Sequence, residues 1–302
     1  MSKGVGRENI NFDRLSQRFL PFCINLAKII MKIAITGGNG RIGQAVIDLA
    51  LVQGHTVVNI DRVQGESEKP GVTYLQVDST DYDALENAFH QCDALIHLAA
   101  IAAPGHHPDH IVHNNNVVAS YNALRAAAEV GIKRVCQASS INAIGGAYSR
   151  WPHYDYLPVD EKHPTYNEDP YSLSKWICEL QADSFVRRYG MTIASLRIHG
   201  VTNERADSAK WNQPGRNVIA KHLWGYVRKD ATAQACLLGI TADFSGHEAF
   251  YIVAPDTMMD KPSLELAQEF FPDTAVTGDL SDHNGFFNCK KAEQILGWQH
   301  DE

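Results

Sequence analysis

The feature that most constrains this chain is a glycine-rich turn between a short apolar segment and a helical pattern. The turn reads Thr-Gly-Gly-Asn-Gly-Arg-Ile-Gly over residues 36–43 and directly follows the apolar segment 31–35. Of Gly37, Gly40 and Gly43, one permits a tight turn, one lets backbone N–H groups approach a ligand, and one lets helix and strand pack closely. The positive end of the helix dipole faces the same point, so the segment predicts a strand–turn–helix unit that holds a pyrophosphate. Arg41 and Ile42, inside the turn, are predicted to contact the same ligand.

Composition and charge exclude several classes of protein. The chain has 302 residues, of which 44% are hydrophobic and 21% charged, and this is ordinary for a globular protein with one large core. Its net charge of -8 is spread along the chain without a Lys/Arg block. We therefore expect neither nucleic acid nor a membrane as a partner. The six cysteines are scattered and form no C-x-x-C motif, which favours a reducing, cytoplasmic location over a disulfide framework or a zinc site.

From residue 31 onward the chain alternates between strand-like and helical patterns. Strand-like segments occur at 56–60, 73–77, 94–98, 134–138, 192–198 and 249–253. Helical periodicity fills most of the gaps, most clearly at 112–130 and 171–189. This alternation predicts an α/β fold, a Rossmann-type doubly wound parallel sheet covered by helices on both faces.

The same pattern predicts the domain organisation. Residues 31–302 form one domain, with a nucleotide-binding core at about 31–198 plus a strand near 249–253. A small C-terminal substrate lobe lies mainly in 199–217 and 254–302, where Pro, Gly, Asn and charged residues concentrate. Residues 1–30 are expected to be a flexible N-terminal extension, with an organelle address or a partner-binding segment as alternatives. Their apolar stretch is too short and too polar to span a membrane.

An acidic residue at the end of the second strand bears on the choice of dinucleotide. Asp61 follows Gly43 by 18 residues, where a carboxylate accepts hydrogen bonds from the adenosine ribose hydroxyls and repels a 2′-phosphate. This favours NAD over NADP as the cofactor. The neighbouring Arg62 leaves NADP open, because a guanidinium pairs well with a 2′-phosphate.

Two further loops are predicted to line the cofactor site. Asp78, with Ser79 beside it, follows the third strand and is placed to meet the adenine amino group; the alternative for this segment is a helix N-cap. After the fourth strand come Leu98, Ala99 and Ala100, whose small side chains let a cofactor lie close to the backbone.

Tyr171 and Lys175 are the candidate catalytic pair. They are four residues apart on a predicted helix, so both side chains lie on one face. A nearby ammonium favours the phenolate and lowers the pKa of a tyrosine from about 10 toward neutrality. Ser140, at the end of the fifth strand, would hold the substrate oxygen while a hydride moves to or from a nicotinamide.

With these residues in place, the chain resembles the extended branch of the short-chain dehydrogenase/reductase superfamily, the NAD-dependent epimerase/dehydratase type. The resemblance runs from about residue 31 to 298. Its matching pieces are 36–43, Asp61, Asp78, 97–100, 114–116, Ser139 and Ser140, 170–175, Leu196 and Arg197.

The resemblance implies roles for particular residues. Tyr171 would be the catalytic acid/base, Lys175 its partner and the contact to the nicotinamide ribose, and Ser140 the donor to the substrate oxygen. Ser139 competes for that last role. Asn116 would fix the active-site helix and lie against the cofactor. Extended members often pair through helices matching 112–130 and 171–189, so we expect a homodimer.

Within the branch, segment 139–145 looks most similar to uronate dehydrogenases, so a small polyol, sugar or sugar-acid substrate is expected. Arg197 would then be either a clamp for the substrate carboxylate or a structural anchor of the sheet. The alternatives are an epimerase that retains its NAD and a non-catalytic dinucleotide-sensing protein.

Two segments depart from that pattern or invite another function. The aromatic-rich insertion 150–156 carries Trp151, Tyr154 and Tyr156, which either stack on a ligand or cap the core beneath a long loop. Segment 105–113 holds four histidines; a solvated loop is favoured over a metal site, because the expected chemistry needs no metal.

Overall fold

The computed structural model describes residues 30–65, 69–150, 152–209 and 218–300. Three of the predictions above therefore concern residues outside the described ranges: the N-terminal extension up to residue 29, Trp151, and segment 210–217 of the predicted substrate lobe.

The described elements alternate along the chain as expected. The strands are β1 Lys32–Thr36, β2 Thr56–Asp61, β3 Val72–Gln76, β4 Ala94–His97, β5 Arg134–Ala138, β6 Tyr156–Leu157, β7 Thr192–Ile198, β8 Val201–Thr202, β9 Val227–Arg228, β10 His247–Ile252 and β11 Ala275–Val276. The helices are α1 Arg41–Val52, α2 Tyr82–Phe89, α3 Asp109–Glu129, α4 Pro170–Tyr189, α5 Arg205–Ala209, α6 Val218–Lys221, α7 Lys229–Thr241 and α8 Ser263–Phe270. A 3₁₀ turn covers Ile141–Ile144 and a π-helical turn covers Ala292–Leu296.

Seven parallel strands form the central sheet, in the order β10-β7-β5-β4-β1-β2-β3. The inner strands are buried along almost their whole length and mostly apolar, as expected of strands covered on both faces. Helices α1 and α7 pack on one face, and α2, α3 and α4 on the other. The predicted Rossmann-type fold is confirmed.

The order of strands determines where a ligand binds. The chain runs outward from β1 through β2 to β3 in one direction and from β4 through β5 and β7 to β10 in the other. In such sheets the crevice lies at the carboxyl ends of the strands, where the strand order reverses. The loops after β1, β4 and β5 meet there.

Two short strand pairs, β6–β11 and β8–β9, lie outside the central sheet. A separate hydrophobic cluster, which we call the lobe core, draws on residues within 141–159, 219–226 and 251–287. Tyr154 and Trp224 are buried in it together with the aromatic side chains of 286 and 287. Among the described residues no helix is both long enough and apolar enough to cross a membrane.

Candidate active site

The glycine-rich turn after β1 has no room for larger side chains. Gly37 has φ +70°, and a Cβ there would lie 2.8 Å from the backbone nitrogen of Ala99. A Cβ on Gly43 would lie 2.5 Å from the carbonyl oxygen of Gly37. The sequence analysis did not single out Gly38. A Cβ added there would lie 2.1 Å from Asn59 Oδ1, so this position is also confined. The turn thus brings bare backbone to the N-terminus of α1.

A cleft of about 580 Å³ opens in front of this turn. Every residue predicted from the loops after β1, β2, β3 and β4 lines it: Gly37, Gly40, Arg41, Ile42, Gly43, Asp61, Asp78, Ser79, Leu98, Ala99 and Ala100. Arg62, Ala102 and Asn115 line it too. We refer to it below as the dinucleotide cleft.

Both carboxylates at the adenosine end of the cleft are held by the backbone. Asp61 accepts hydrogen bonds from the backbone N–H of Asn39 at 3.0 Å and of Val63 at 3.1 Å. Asp78 accepts from the backbone N–H and the hydroxyl of Thr80, each at 2.8 Å. These two bonds hold the pKa of Asp78 below its usual value, with a smaller contribution from Arg62. The helix N-cap is Asp81, so the capping alternative for Asp78 does not apply.

Asn116 ties the loop after β4 to the active-site helix. Its Oδ1 accepts from the backbone N–H of Ile101 at 2.8 Å, and its Nδ2 donates to the Ile101 carbonyl at 3.0 Å and to Ser174 Oγ at 3.1 Å. This is the structural role expected for it. Asn116 was also expected to contact the cofactor, but Asn115 and not Asn116 lines the cleft. Both polar atoms of Asn116 are hydrogen-bonded inside the protein.

A second pocket, of about 390 Å³, adjoins the cleft, and Ala102 belongs to the lining of both. We refer to it as the substrate pocket. Its lining contains Ser140, Asn142, Tyr148, Tyr171, His199 and His222, together with apolar side chains. Asp169 caps α4 by accepting from the backbone N–H of Tyr171 and Ser172, which holds Tyr171 in the first turn at the pocket.

Tyr171 and Ser140 both line this pocket. Burial raises the pKa of Tyr171 to about 12, and the Ser140 hydroxyl acts against that rise. Lys175 lies 5.7 Å from the Tyr171 ring centroid, but its ammonium donates to the carbonyl oxygen of Ala138 at 2.7 Å. Burial also lowers the pKa of Lys175. In the structure, therefore, burial outweighs the lowering of the Tyr171 pKa that was expected from Lys175.

The two neighbouring serines differ in their partners. Ser139 donates to Glu179 Oε1 at 2.6 Å and faces away from the pocket lining, whereas Ser140 lines the pocket. Arg197 is bound to the same carboxylate: its Nε donates to Glu179 Oε1 at 3.0 Å and its Nη2 to Oε2 at 2.8 Å. Both side chains of this ion pair are almost fully buried. Of the two roles expected for Arg197, the structure shows the anchor. The substrate-binding prediction for Arg197 is corrected, because its guanidinium is used by Glu179.

Most residues of the pocket lining were not predicted, and three of them carry rings: Tyr148, His199 and His222. The backbone N–H of Gly200 donates to His199 Nδ1 at 2.6 Å, so Nε2 carries the proton and donates to the carbonyl of His222 at 2.9 Å. Tyr148 packs edge-on against both Tyr171 and His222. His199 directly follows strand β7, but nothing local in the sequence places Tyr148 or His222 at the pocket.

The remaining sequence features lie elsewhere. Tyr154 is buried in the lobe core and donates to the Lys221 carbonyl at 2.8 Å, which fits the core-capping alternative. Tyr156 is half-buried and donates to Asp160 at 2.6 Å. The imidazoles of His106, His107 and His110 are exposed. Within the part of the chain that the structure describes, no group of three or more His, Cys, Asp or Glu side chains is arranged to hold a metal ion.

A sequence model of the NAD dependent epimerase/dehydratase family matches residues 33–222. The chain belongs to this family. The resemblance to extended short-chain dehydrogenases/reductases is thereby confirmed.

Individual relatives differ in activity. A putative UDP-glucose 4-epimerase of Methanocaldococcus jannaschii is 32% identical over 181 residues, 58% of this chain and 57% of that protein. The L-arabinose 1-dehydrogenase (NAD(P)(+)) of Haloferax volcanii is 29% identical over 198 residues, 64% of this chain and 75% of that protein. The chain spans about half the length of several curated relatives that it matches.

Solved structures agree on the fold. A UDP-glucose 4-epimerase of Thermotoga maritima has a TM-score of 0.65 at 22% identity, with 90% of this chain and 94% of that chain covered. A mutated uronate dehydrogenase has a TM-score of 0.66 at 21% identity, with 91% and 82% covered. At such identities the likeness concerns the fold alone.

Proposed function

We propose that this protein is an NAD-dependent oxidoreductase that moves a hydride between the nicotinamide and a small hydroxyl or hemiacetal substrate. The observation that carries the proposal is that Ser140 and Tyr171 line the same small pocket, which adjoins the dinucleotide cleft. A proton-transfer group and an oxygen-holding group are thereby set beside a site for a long, anionic ligand.

The cleft fits a dinucleotide. The bare backbone of Gly37, Gly38 and Gly43 leaves room for a pyrophosphate at the N-terminus of α1, where the helix dipole favours an anion. Asp61, held by two backbone N–H groups, would accept hydrogen bonds from the adenosine ribose hydroxyls. Its carboxylate would repel a 2′-phosphate, which favours NAD over NADP although Arg62 lines the same cleft.

The chemistry of the proposed site follows from three side chains. A bound nicotinamide dinucleotide accepts or supplies the hydride. Ser140 would hold the substrate oxygen, and Tyr171 would remove the proton from it during oxidation or return it during reduction. Lys175 lies behind Tyr171 with its ammonium on the Ala138 carbonyl, where its charge favours the phenolate against the effect of burial. The same ammonium would reach the nicotinamide ribose.

A second candidate is an epimerase that oxidises and re-reduces its substrate on retained NAD. The observation in its favour is the match to the Methanocaldococcus jannaschii protein. The volume of the substrate pocket, near the lower end for ligand sites, favours a small substrate and hence the dehydrogenase. A dinucleotide-sensing role without chemistry would not require Ser140 and Tyr171 to lie together at a pocket. We also propose a reducing, cytoplasmic location, which the five unpaired cysteines among the described residues support.

The proposal is tested by following reduced-cofactor formation with NAD and with NADP. The substrates are neutral aldoses, polyols and uronates, and the comparison variant is Tyr171→Phe. We expect turnover with NAD that the variant loses by about a hundredfold or more, since general acid–base catalysis typically contributes that much.

The contrary outcomes are separable. Absence of net turnover, with NAD tightly bound and a sugar epimerised, would replace the dehydrogenase with the epimerase. Equal rates for the wild type and Tyr171→Phe would contradict any role for this tyrosine in proton transfer.

A further inference from the structure

The described residues that line the substrate pocket carry no charged side chain. Among the described residues of its lining there is no Asp, Glu, Lys or Arg; its polar groups are hydroxyls, one amide and two imidazoles. Burial lowers the pKa of His199 to about 3 and that of His222 to about 4, so both rings are neutral at physiological pH. A substrate carboxylate would therefore meet no compensating charge from these groups.

Among the described residues, three basic side chains on elements that also supply pocket residues are engaged elsewhere. Arg197 is in its buried ion pair with Glu179. The ammonium of Lys175 donates to the Ala138 carbonyl. Lys221 donates to the backbone carbonyls of Ser149 at 2.8 Å and Arg150 at 3.1 Å. None of the three belongs to the lining of the pocket.

Asn142 is the polar group in this lining that the proposed chemistry does not use. Its backbone N–H lies 3.2 Å and its side-chain Nδ2 lies 3.3 Å from Ser140 Oγ, and both donate to that oxygen. Because Ser140 accepts from both, its own proton is left to donate toward Tyr171 or a substrate oxygen. Asn142 Oδ1, however, is buried and accepts no hydrogen bond.

A buried carbonyl oxygen without a donor is an uncommon feature, and here it lies on a residue bonded to the group that would hold the reacting oxygen. Its natural complement is a donor on the substrate close to the reacting carbon. A hydroxyl supplies such a donor, whereas a carboxylate supplies only further acceptors.

We propose that the substrate pocket selects a neutral, polyhydroxylated substrate and that Asn142 Oδ1 accepts a hydrogen bond from the hydroxyl on the carbon next to the reacting one. The inference rests on the proposed function, since that function defines the reacting carbon. It narrows the expected sugar or sugar-acid substrate to the neutral sugar or polyol.

Affinity is the readout that does not depend on turnover. Tyr171→Phe protein loaded with NAD is titrated calorimetrically with D-glucose and D-glucuronate, and with D-galactose and D-galacturonate. We expect each neutral sugar that binds to bind at least about tenfold more tightly than its uronate. Tighter binding of the uronates, or no binding of any neutral sugar, overturns the proposal.

The role of Asn142 is tested by a cycle over substrate and protein. The best neutral substrate is compared with its deoxy analogue, which lacks the hydroxyl next to the reacting carbon, in wild type and in Asn142→Leu. We expect the wild type to bind the deoxy analogue about tenfold more weakly than the full substrate, as for one lost hydrogen bond. Asn142→Leu, which lacks the acceptor, is expected to bind the two ligands equally. A deoxy penalty of the same size in both proteins overturns the role of Asn142.

Two further variants serve as controls for the Asn142→Leu result. Asn142→Asp keeps an acceptor at this position, so it is expected to bind the deoxy analogue more weakly than the full substrate, as the wild type does. This comparison can be made even if Asn142→Leu folds poorly. Asn87→Leu makes the same replacement on the exposed surface of α2 and is expected to behave as wild type. Selective binding of neutral sugars without any turnover would support this inference while contradicting the proposed oxidoreductase.

Discussion

At the scale of single residues, the most constrained charge in the described molecule is shared by Glu179 and Arg197. Their side chains are 4% and 3% exposed, and two hydrogen bonds join them. Ser139 adds a third bond to the same carboxylate. Desolvation opposes the charge on Arg197, but the carboxylate of Glu179 keeps the pKa of the guanidinium above its usual value. The pair joins α4, which carries Tyr171, to strand β7.

We predict that Glu179→Ala lowers the free energy of unfolding by about 3–5 kcal/mol, because it leaves the Arg197 charge buried and unpaired. The double variant Glu179→Leu/Arg197→Met is expected to recover most of that loss, since it removes both charges. Urea unfolding followed by circular dichroism measures both values.

An exposed pair supplies the control. Arg125 and Glu129 form an ion pair on the surface of α3, with 30% and 46% of the side chains exposed. Glu129→Ala is expected to change the free energy of unfolding by less than about 1 kcal/mol. A cost for Glu179→Ala no larger than that of Glu129→Ala would contradict the anchoring role.

At the scale of elements, α3 and α4 carry exposed apolar side chains that their packing on the sheet does not explain. Tyr121 and Leu180 are each 46% exposed, and Ile111, Val118 and Leu173 are exposed to a similar degree. These are the helices through which the family resemblance implies dimerisation. We therefore propose that this apolar surface is the dimer interface.

The dimer is tested by light scattering coupled to size exclusion at micromolar concentration. We predict a dimer for the wild type and a monomer for Tyr121→Glu/Leu180→Glu, because two buried carboxylates in each copy would be left without partners. Val52→Glu introduces the same charge on α1, at a residue that is 83% exposed, and should leave the dimer intact. A monomeric wild type would contradict the prediction, as would dissociation by Val52→Glu.

Local patterns predicted elements well where the chemistry is local. The strand predicted at 134–138 matches β5, that at 192–198 matches β7, and the active-site helix differs by one residue at its start. Turn glycines, apolar runs and caps such as Asp169 act within a few residues, so the sequence shows them directly. The loops that line the dinucleotide cleft could be located for the same reason, since each follows a strand of the sheet.

At the scale of the whole molecule, contacts between side chains on different elements were harder to predict from the sequence. The role of Arg197 depends on Glu179, 18 residues away on another element, and His199 contacts the carbonyl of His222 across 23 residues. Such pairings follow from tertiary packing and leave no periodicity in the sequence. Glu179 did carry one signal: it lies four residues after Lys175, on the same face of α4.

Burial of Tyr171 is likewise a property of the whole fold. Spacing suggested only that Lys175 lowers the pKa of Tyr171. The sheet, α4 and the lobe together enclose the phenol, and that enclosure raises its pKa to about 12. Below that pKa the ionised fraction of Tyr171 increases with pH. Because oxidation requires the ionised form as a base, the rate of oxidation is expected to increase with it.

The most direct test of the account is therefore the pH dependence of substrate oxidation from pH 6 to 10, in wild type and Tyr171→Phe. We predict that log(kcat/KM) of the wild type rises with pH, with a slope of up to about one per pH unit, and that the variant is both slow and insensitive to pH over this range. A flat wild-type profile, or a variant that retains the same rising profile, would contradict Tyr171 as the group that exchanges the proton.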